Sequence, residues 1–438
     1  MDSRALTKIQ SIILTAVIVV ATAVGGLVYV LSPGQDDNAI KVGVLADLDA
    51  LVGKHIWQGS LLAAEQINAE GGILGKQITV IGEDPDTETG ADAAKVSTAL
   101  NRLLTFHKVD FVIGGVSGDT EILCQEIVAQ QKRIFISVYG NSEEATQRVL
   151  DEYDSYKYFF RVWATNASAT FQGMIDSLLL LRDNTGFNKI AIFGEDLSWT
   201  TGVMDGLRNV LADVYGFDLV YDNRYPIGTV DFSSYFAAAE AAGAEVLMPL
   251  IRGDAGLPFT KEWYDRQSPI FIYGGLNVMT AVPESWEWTD GKCADIVTVA
   301  MPVTTGYPLT SKTIPTRQAY ADRWGETPQM AGAAAYDTMR YILYDAINRA
   351  QTIETEEVIE TLEETSIETS IARNFIFTES HDVMMGENPN DPDKDYTLVL
   401  LFQWQDGEQV PVYPKKIMEE AGATYMFPDW SGPWDSIS

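Results

Sequence analysis

A two-lobed α/β protein, each lobe a parallel sheet with helices on both faces, is the fold class that the sequence predicts. Three observations predict it. Short apolar runs alternate with stretches of helical period along most of the chain, and β–α alternation builds parallel sheets covered on both faces. The apolar runs, counted with those of the tail, give about ten strands, more than one sheet commonly holds. Hydrophobic residues make up 46% of the 438, so the chain has the material for real cores.

The elements follow in order. From Ile9 to Gln35 there are 27 residues without a charge, preceded by Arg4 and Lys8 and followed by Asp36 and Asp37. The apolar stretch from Ile12 to Leu31 matches a helix crossing a hydrocarbon layer of roughly 30 Å. The flanking charges place the N-terminus inside and the rest outside. Because Val24–Leu31 continues the apolar run past the small-residue site Ala21-Thr22-Ala23, the segment is expected to remain as an anchor and not to be cleaved. No Cys follows it, so a lipid anchor is not expected. Residues 1–38 are therefore read as a cytoplasmic stub, a transmembrane anchor and a polar tether.

Strands are predicted at Ile40–Leu45, Ile78–Gly82, Asp110–Gly114, Ile134–Ser137, Ile190–Phe193, Glu245–Leu250, Phe271–Tyr273 and Ile296–Val299. The first helix, about Lys54–Glu70, places Ile56, Ser60, Ala63, Ala64 and Ile67 on one face and stops at Gly71-Gly72. Residues 316–349 are helical again, and the six Glu of Glu354–Glu364 read as a solvated helix face. Late strands are expected at Asn374–Phe377 and Tyr396–Trp404.

Charge and composition exclude several classes. Lys and Arg number 30 against 62 Asp and Glu, a formal charge of −32, which disfavours nucleic acid as a partner. Two Cys, Cys124 and Cys293, and three scattered His, His55, His107 and His381, make neither a disulfide scaffold nor a metal cluster. No Gly-x-Ser-x-Gly elbow and no phosphate-binding Gly-x-x-x-x-Gly-Lys-[Ser/Thr] is present. His381-Asp382 is read as structural. No catalytic residue, metal or cofactor is expected.

Several segments together carry a resemblance. Ala63-Ala64-Glu65-Gln66-Ile67-Asn68-Ala69-Glu70-Gly71-Gly72-Ile73-Leu74-Gly75-Lys76 is the most specific. Val112-Ile113-Gly114-Gly115-Val116-Ser117, Asp231-Phe232-Ser233-Ser234, Ala242-Gly243-Ala244-Glu245-Val246, Ala335-Tyr336-Asp337 and Phe402-Gln403-Trp404-Gln405-Asp406-Gly407 follow in the same order as in that family. Over about residues 39–415 the chain resembles the extracellular solute-binding proteins of ABC importers, of the leucine/isoleucine/valine-binding type, whose fold is the type I periplasmic-binding fold. With an uncleaved anchor in place of a lipid, it looks like an archaeal form of it.

The resemblance implies two doubly wound lobes joined by a hinge. Lobe 1 is expected at 39–160 and 303–372, lobe 2 at 161–302 and 373–438. It also implies a monomer that captures a small polar ligand, an amino acid or a relative of one, by hinge closure and hands it to ABC permease subunits at the outer face of the membrane. A ligand-sensing subunit is the alternative reading, and an extracellular hydrolase on the same scaffold a weaker one.

Ligands of open α/β sheets sit beyond the carboxyl ends of the strands, which directs attention to the loops there. After the first strand, Leu51 or Val52 either touches the ligand or packs under the first helix; Asp47 and Asp49 read as turn or capping residues. Ser117 and Gly118 stand in the loop Gly115–Asp119 before a helix that starts at Thr120 and whose N-terminus favours an anion, and the resemblance gives them the α-carboxylate of an amino acid. Asp119 reads as a helix cap or as a contact to an amine. Tyr139 and Asn141 fall where the family contacts the same ligand, and Asn141 equally suits a plain turn. In lobe 2, Trp199 falls where the family has a covering aromatic, or else packs in that lobe's core. Asn166 lies near the hinge, in an Asn-Ala-Ser sequon. The acid that fixes the ligand amine in the family has no clear counterpart; Asp254, beside Arg252, is the candidate to supply it, unless both are exposed loop charges.

Overall fold

The computed structural model describes residues 17–23, 26–32, 38–86, 92–115, 117–163, 167–251 and 255–437. The chain divides into two compact units, Met1–Ala167 with Thr310–Thr397, and Ser168–Leu309 with Leu398–Ser438.

The first unit is built on a seven-stranded sheet. Its strands are β1 (Val17–Ala23), β2 (Gly26–Ser32), β3 (Ile40–Leu45), β4 (Ile78–Glu83), β5 (Phe111–Gly114), β6 (Ile134–Ser137) and β7 (Phe159–Arg161), in the order β1-β2-β4-β3-β5-β6-β7. Strands β4, β3, β5, β6 and β7 are all parallel, and β3, β4, β5 and β6 are apolar runs buried along nearly their whole length, as strands covered on both faces must be. Helices connect them, among them α1 (Leu51–Ala69), α2 (Gly118–Gln131) and α3 (Glu143–Asp151). On α1, Ile56, Leu61, Ala63, Ala64 and Ile67 are buried, so the predicted apolar face is the packed one.

One expectation is corrected. The apolar stretch Ile12–Leu31, read as a membrane-crossing helix, contributes β1 and β2, an antiparallel pair whose second strand runs along β4. The local chemistry accounts for strands: β1 and β2 carry Val17, Ile18, Val19, Val20, Val28 and Val30, β-branched residues that favour extended backbone. Among the described residues no helix is long and apolar enough to cross a membrane.

The second unit repeats the plan. Strands β8 (Lys189–Glu195), β9 (Asp218–Tyr225), β10 (Val246–Ile251), β11 (Phe271–Ile272) and β12 (Leu276–Asn277) form a parallel sheet in the order β11-β10-β8-β9, with β12 also on β10. Helix α4 (Ser198–Leu211) leads from β8 towards β9. A short strand, β13 (Val297–Val299), precedes the return to the first unit.

There, α5 (Met330–Asp337) packs on α1, and β14 (Ser366–Ile367) pairs with β15 (Phe375–Ile376). The tail closes the second unit with β16 (Leu401–Gln405) and β17 (Glu408–Tyr413), paired antiparallel and joined to β13. Residues 373–397, expected in lobe 2, belong to the first unit. Phe375, Phe377 and Val383 are buried in its core, and the backbone N–H of Arg161 on β7 donates to the carbonyl of His381 at 2.9 Å.

Cys124 and Cys293 are buried free thiols, one in each unit. His381 and Asp382 turn to different partners. The His381 ring stacks on Phe160 at 4.0 Å, with Nδ1 3.0 Å from the Phe159 carbonyl and Nε2 2.9 Å from Glu363, whereas Asp382 accepts from Arg161. Both are packing residues.

Candidate functional site

Strand order points to the site before any side chain is considered. In both sheets the first of the parallel strands lies between the next two: β4-β3-β5 in one unit and β9-β8-β10 in the other. Adjacent loops then leave in opposite directions at one point, and the crevice that opens beyond the carboxyl ends there is the default ligand position of doubly wound sheets. In the first unit it lies beyond β3 and β5, in the second beyond β8 and β10.

Beyond β3 the chain turns through Asp47–Ala50 into α1. The Asp84 carboxylate, just past β4, accepts the Leu48 N–H at 2.9 Å and fixes this turn. Burial, opposed by hydrogen bonds from Asp86 and Leu48, raises the Asp84 carboxyl above its ordinary range, with the nearby Asp47 and Asp49 adding to the rise. Leu51 opens α1 and is exposed, whereas Val52 packs against the core.

Beyond β5 the chain must turn sharply while touching β3. Gly114 has φ +143°, and a Cβ there would lie 2.1 Å from the Leu45 carbonyl oxygen, so only glycine fits. The Gly115 N–H donates to that same oxygen at 2.9 Å. Two residues on, Ser117 stands extended as the N-cap of α2 and its hydroxyl makes no capping bond, approaching only the Thr120 hydroxyl, at 3.4 Å. A fourteen-residue helix thus presents its positive end here.

Beyond β6 the loop Val138–Ser142 comes alongside. A Cβ on Gly118 would lie 3.1 Å from Asn141 Oδ1, so Gly118 and Asn141 are neighbours. Asn141 is exposed and Tyr139 half-buried, with its ring meeting that of Trp163 edge-on at 5.6 Å. Ser117, Gly118, Tyr139 and Asn141 are thus carried by two adjacent loops.

Three groups that sequence reading did not single out hold these loops. Glu121 is buried, accepting the Ser137 hydroxyl at 2.6 Å and the Ser142 N–H at 2.7 Å. Burial pushes its carboxyl up to about 7, against the pull of Arg161 3.7 Å away. Arg161, fully buried at the end of β7, forks onto Asp382 at 2.8 and 2.6 Å and donates to the Ser142 carbonyl at 2.7 Å. Trp163 is the third.

In the second unit, Trp199 lies in the first turn of α4, directly after β8. That places it at this unit's switch point; its side chain lies outside the described residues. The Thr200 hydroxyl anchors the turn to the Glu195 and Leu197 carbonyls. Asp254, with Arg252 and Gly253, follows β10 and lies outside the described residues, as does Asn166. Among the described residues no group of three His, Cys, Asp or Glu side chains is placed to hold a metal.

Comparison with known proteins agrees with this fold. The family model described as periplasmic binding protein matches residues 39–386. The chain is 25% identical over 408 residues to Leu/Ile/Val-binding protein homolog 7 of Brucella abortus, covering 90% of this chain and 96% of that one. Its fold is similar to that of the branched-chain amino acid transporter substrate-binding protein of Streptococcus pneumoniae, solved in complex with isoleucine. The TM-score there is 0.69 at 18% identity, over 86% of this chain and 100% of that one. It is also similar to a solute-binding protein of an R. palustris ABC transporter, solved with benzoate, with a TM-score of 0.65 at 15% identity over 85% and 95% of the two chains.

Proposed function

Because the chain belongs to the periplasmic binding protein family, whose members here are solute-binding proteins of ABC transporters and not enzymes, we propose that it captures an amino acid outside the cytoplasm and delivers it to an ABC importer. The observation that carries the reading is the position of Ser117 and Gly118. They open a helix at the switch point of the first sheet, beside Asn141. In this reading the ligand carboxylate takes hydrogen bonds from the Ser117 hydroxyl and from first-turn backbone N–H groups of α2, with Tyr139 and Asn141 completing the contact and Leu51 meeting the side chain. Both solved neighbours hold carboxylates, isoleucine in one and benzoate in the other, which supports this choice of ligand class.

The second unit contributes Trp199 and Asp254, and Asn166 near the hinge joins them, on closure about the segments that link the units. The ligand drives closure only through contacts that it makes in the closed state and lacks in the open one. The closed monomer is what the permease subunits recognise.

Thermal-shift titration of the chain with amino acids, short amides and small carboxylates tests this. A ligand at a hundred times its Kd adds about 2.7 kcal/mol to stability. Failure of every amino acid to stabilise the chain rejects the ligand class. Replacing Ser117 with Ala is expected to raise Kd by about tenfold to a hundredfold, the worth of a hydrogen bond to a charged group, while leaving the unfolding midpoint of the free chain in place. Unchanged affinity in both the Ser117→Ala and Trp199→Ala variants rejects the site. Small-angle scattering with and without ligand reads the closure.

The finer part of the proposal, that residues 9–35 hold the chain at the membrane, rests on their uncharged length and flanking charges alone, and strands β1 and β2 speak against a helix there. Alkaline extraction of membranes separates the two: an embedded helix stays in the pellet, a hairpin on the sheet edge is released.

A further inference from the structure

We propose that Glu121 is the positioning residue of the ligand-binding loops: its buried carboxylate holds Val138–Ser142 against the first turn of α2, so that Ser117, Gly118 and Asn141 are presented together. The inference rests on the site assigned under Proposed function and deepens it.

The geometry is that of a brace. Glu121 lies one residue past Thr120, in the first turn of α2, and its side chain faces inward. One carboxylate oxygen accepts from Ser137, the last residue of β6, and the other accepts from the N–H of Ser142, the N-cap of α3. Between these two anchors the backbone of Gly140 passes so close that a Cβ would lie 2.0 Å from the Glu121 carboxyl carbon, and the Gly140 N–H reaches the Ser137 hydroxyl at 3.3 Å. Both ends and the middle of the loop are therefore referenced to one carboxylate. Charged and titratable groups face it from the neighbouring elements: Arg161 on β7, Asp382 beyond β15 and Cys124 one turn along α2, while Glu143 at the start of α3 acts on Arg161.

Stability alone gives no reason for an acid here. Its nearest cation, Arg161, is already committed to Asp382 by a two-pronged bond. A carboxylate kept where burial opposes its charge marks a functional placement, and this one stands behind the loops that present the ligand's partners.

Substitution distinguishes a brace from packing. Glutamine keeps an acceptor for the Ser142 N–H and turns its amide toward the Ser137 hydroxyl, which then accepts. Leucine fills similar space and offers no acceptor, leaving the Ser142 N–H unpaired. In the full chain without ligand, Glu121→Leu is expected to speed hydrogen exchange across residues 138–142 by about tenfold or more while β3 and β5 keep their protection. It should also raise Kd for L-leucine by about tenfold or more. Glu121→Gln should hold both within about threefold of wild type. The double variant Ser137→Ala with Glu121→Leu should lose less than the two single variants added together, since both remove the Ser137–Glu121 contact.

Should Glu121→Leu not fold, Gly140→Ala, which drives a methyl group into the carboxyl, is expected to produce the same local exchange and affinity changes. Wild-type exchange in both Glu121→Leu and Gly140→Ala overturns the proposal, and so does a Glu121→Gln variant as damaged as Glu121→Leu. Exchange governed by Glu121 in a chain that no amino acid stabilises supports the brace and rejects the ligand class, so the two failures are separable.

Discussion

Replacing Arg161 with alanine is expected to cost about 3–5 kcal/mol of unfolding free energy, the usual loss when one partner of a buried ion pair is removed. Arg161 is fully buried and Asp382 nearly so. With the guanidinium gone, Asp382 loses both prongs of its partner, the Ser142 carbonyl loses a donor at 2.7 Å, and Glu121 loses a cation that lowers its pKa. The bridge itself is not the source of that loss. Two charges taken out of water attract strongly but each pays heavily in hydration, so exchanging the pair together for apolar residues costs far less than orphaning one of them. Arg161→Met combined with Asp382→Leu should accordingly lose less than Arg161→Ala alone. Arg161→Lys should fall between, because an ammonium cannot reproduce the fork. Urea unfolding of the four proteins is the measurement. A loss below about 1 kcal/mol for Arg161→Ala would place the pair among the surface-like bridges and sink the account.

The same residue shows what a sequence conceals. The parallel strands were legible: Ile40–Leu45 and Ile134–Ser137 are strands with the expected bounds, because continuous apolar runs have one physical meaning in a β–α alternation. Strand β9 was not. Its residues Asp218, Asp222, Asn223 and Arg224 lie on a sheet edge, where polar side chains reach water and the apolar signal fades. The switch-point loops were legible through their glycines and a helix expected from Thr120, which in the fold begins two residues earlier, at Gly118. Arg161, Asp382 and Glu121 lie far apart in sequence, and only the fold brings them together. A local sign of Glu121 did exist. It stands three, four and seven residues before Cys124, Gln125 and Val128, all on the buried face of α2, so helical spacing alone placed an acid in the core. The N-terminal run misled for the converse reason. An uncharged stretch rich in β-branched residues satisfies the length of a membrane helix and the chemistry of a hairpin equally.

That buried acid also sets the sign of a pH effect. Burial raises Glu121 to about 7, against an ordinary glutamate value of 4.5. The folded chain therefore binds this proton more tightly than the unfolded chain does. Below pH 4.5 both states are protonated and the group's contribution is whole; as pH rises to about 7 the unfolded state ionises first, and stability is lost, by about 3 kcal/mol in total. Asp337 acts in the same direction: burial raises it to about 6, against the hydrogen bonds it accepts from Ser370. His55 opposes both. Burial lowers it to about 4, so its contribution is present above pH 6.5 and disappears as pH falls towards 4. The wild-type curve mixes these terms, and the difference between wild type and Glu121→Gln isolates one of them. Glutamine carries no proton to lose, so the variant should match wild type near pH 4.5, gain on it steadily to pH 7, and stay about 3 kcal/mol more stable above that. Urea titrations at half-unit intervals measure the difference. A constant offset across the range would mean that Glu121 does not change charge between the two states in this window, and a gain towards acid would mean that Arg161 holds it ionised in the fold. Set beside leucine affinity, the result has a further use. A variant that is more stable at neutral pH yet binds as wild type does would show that the loop needs an acceptor at this position and that the charge itself is dispensable to binding.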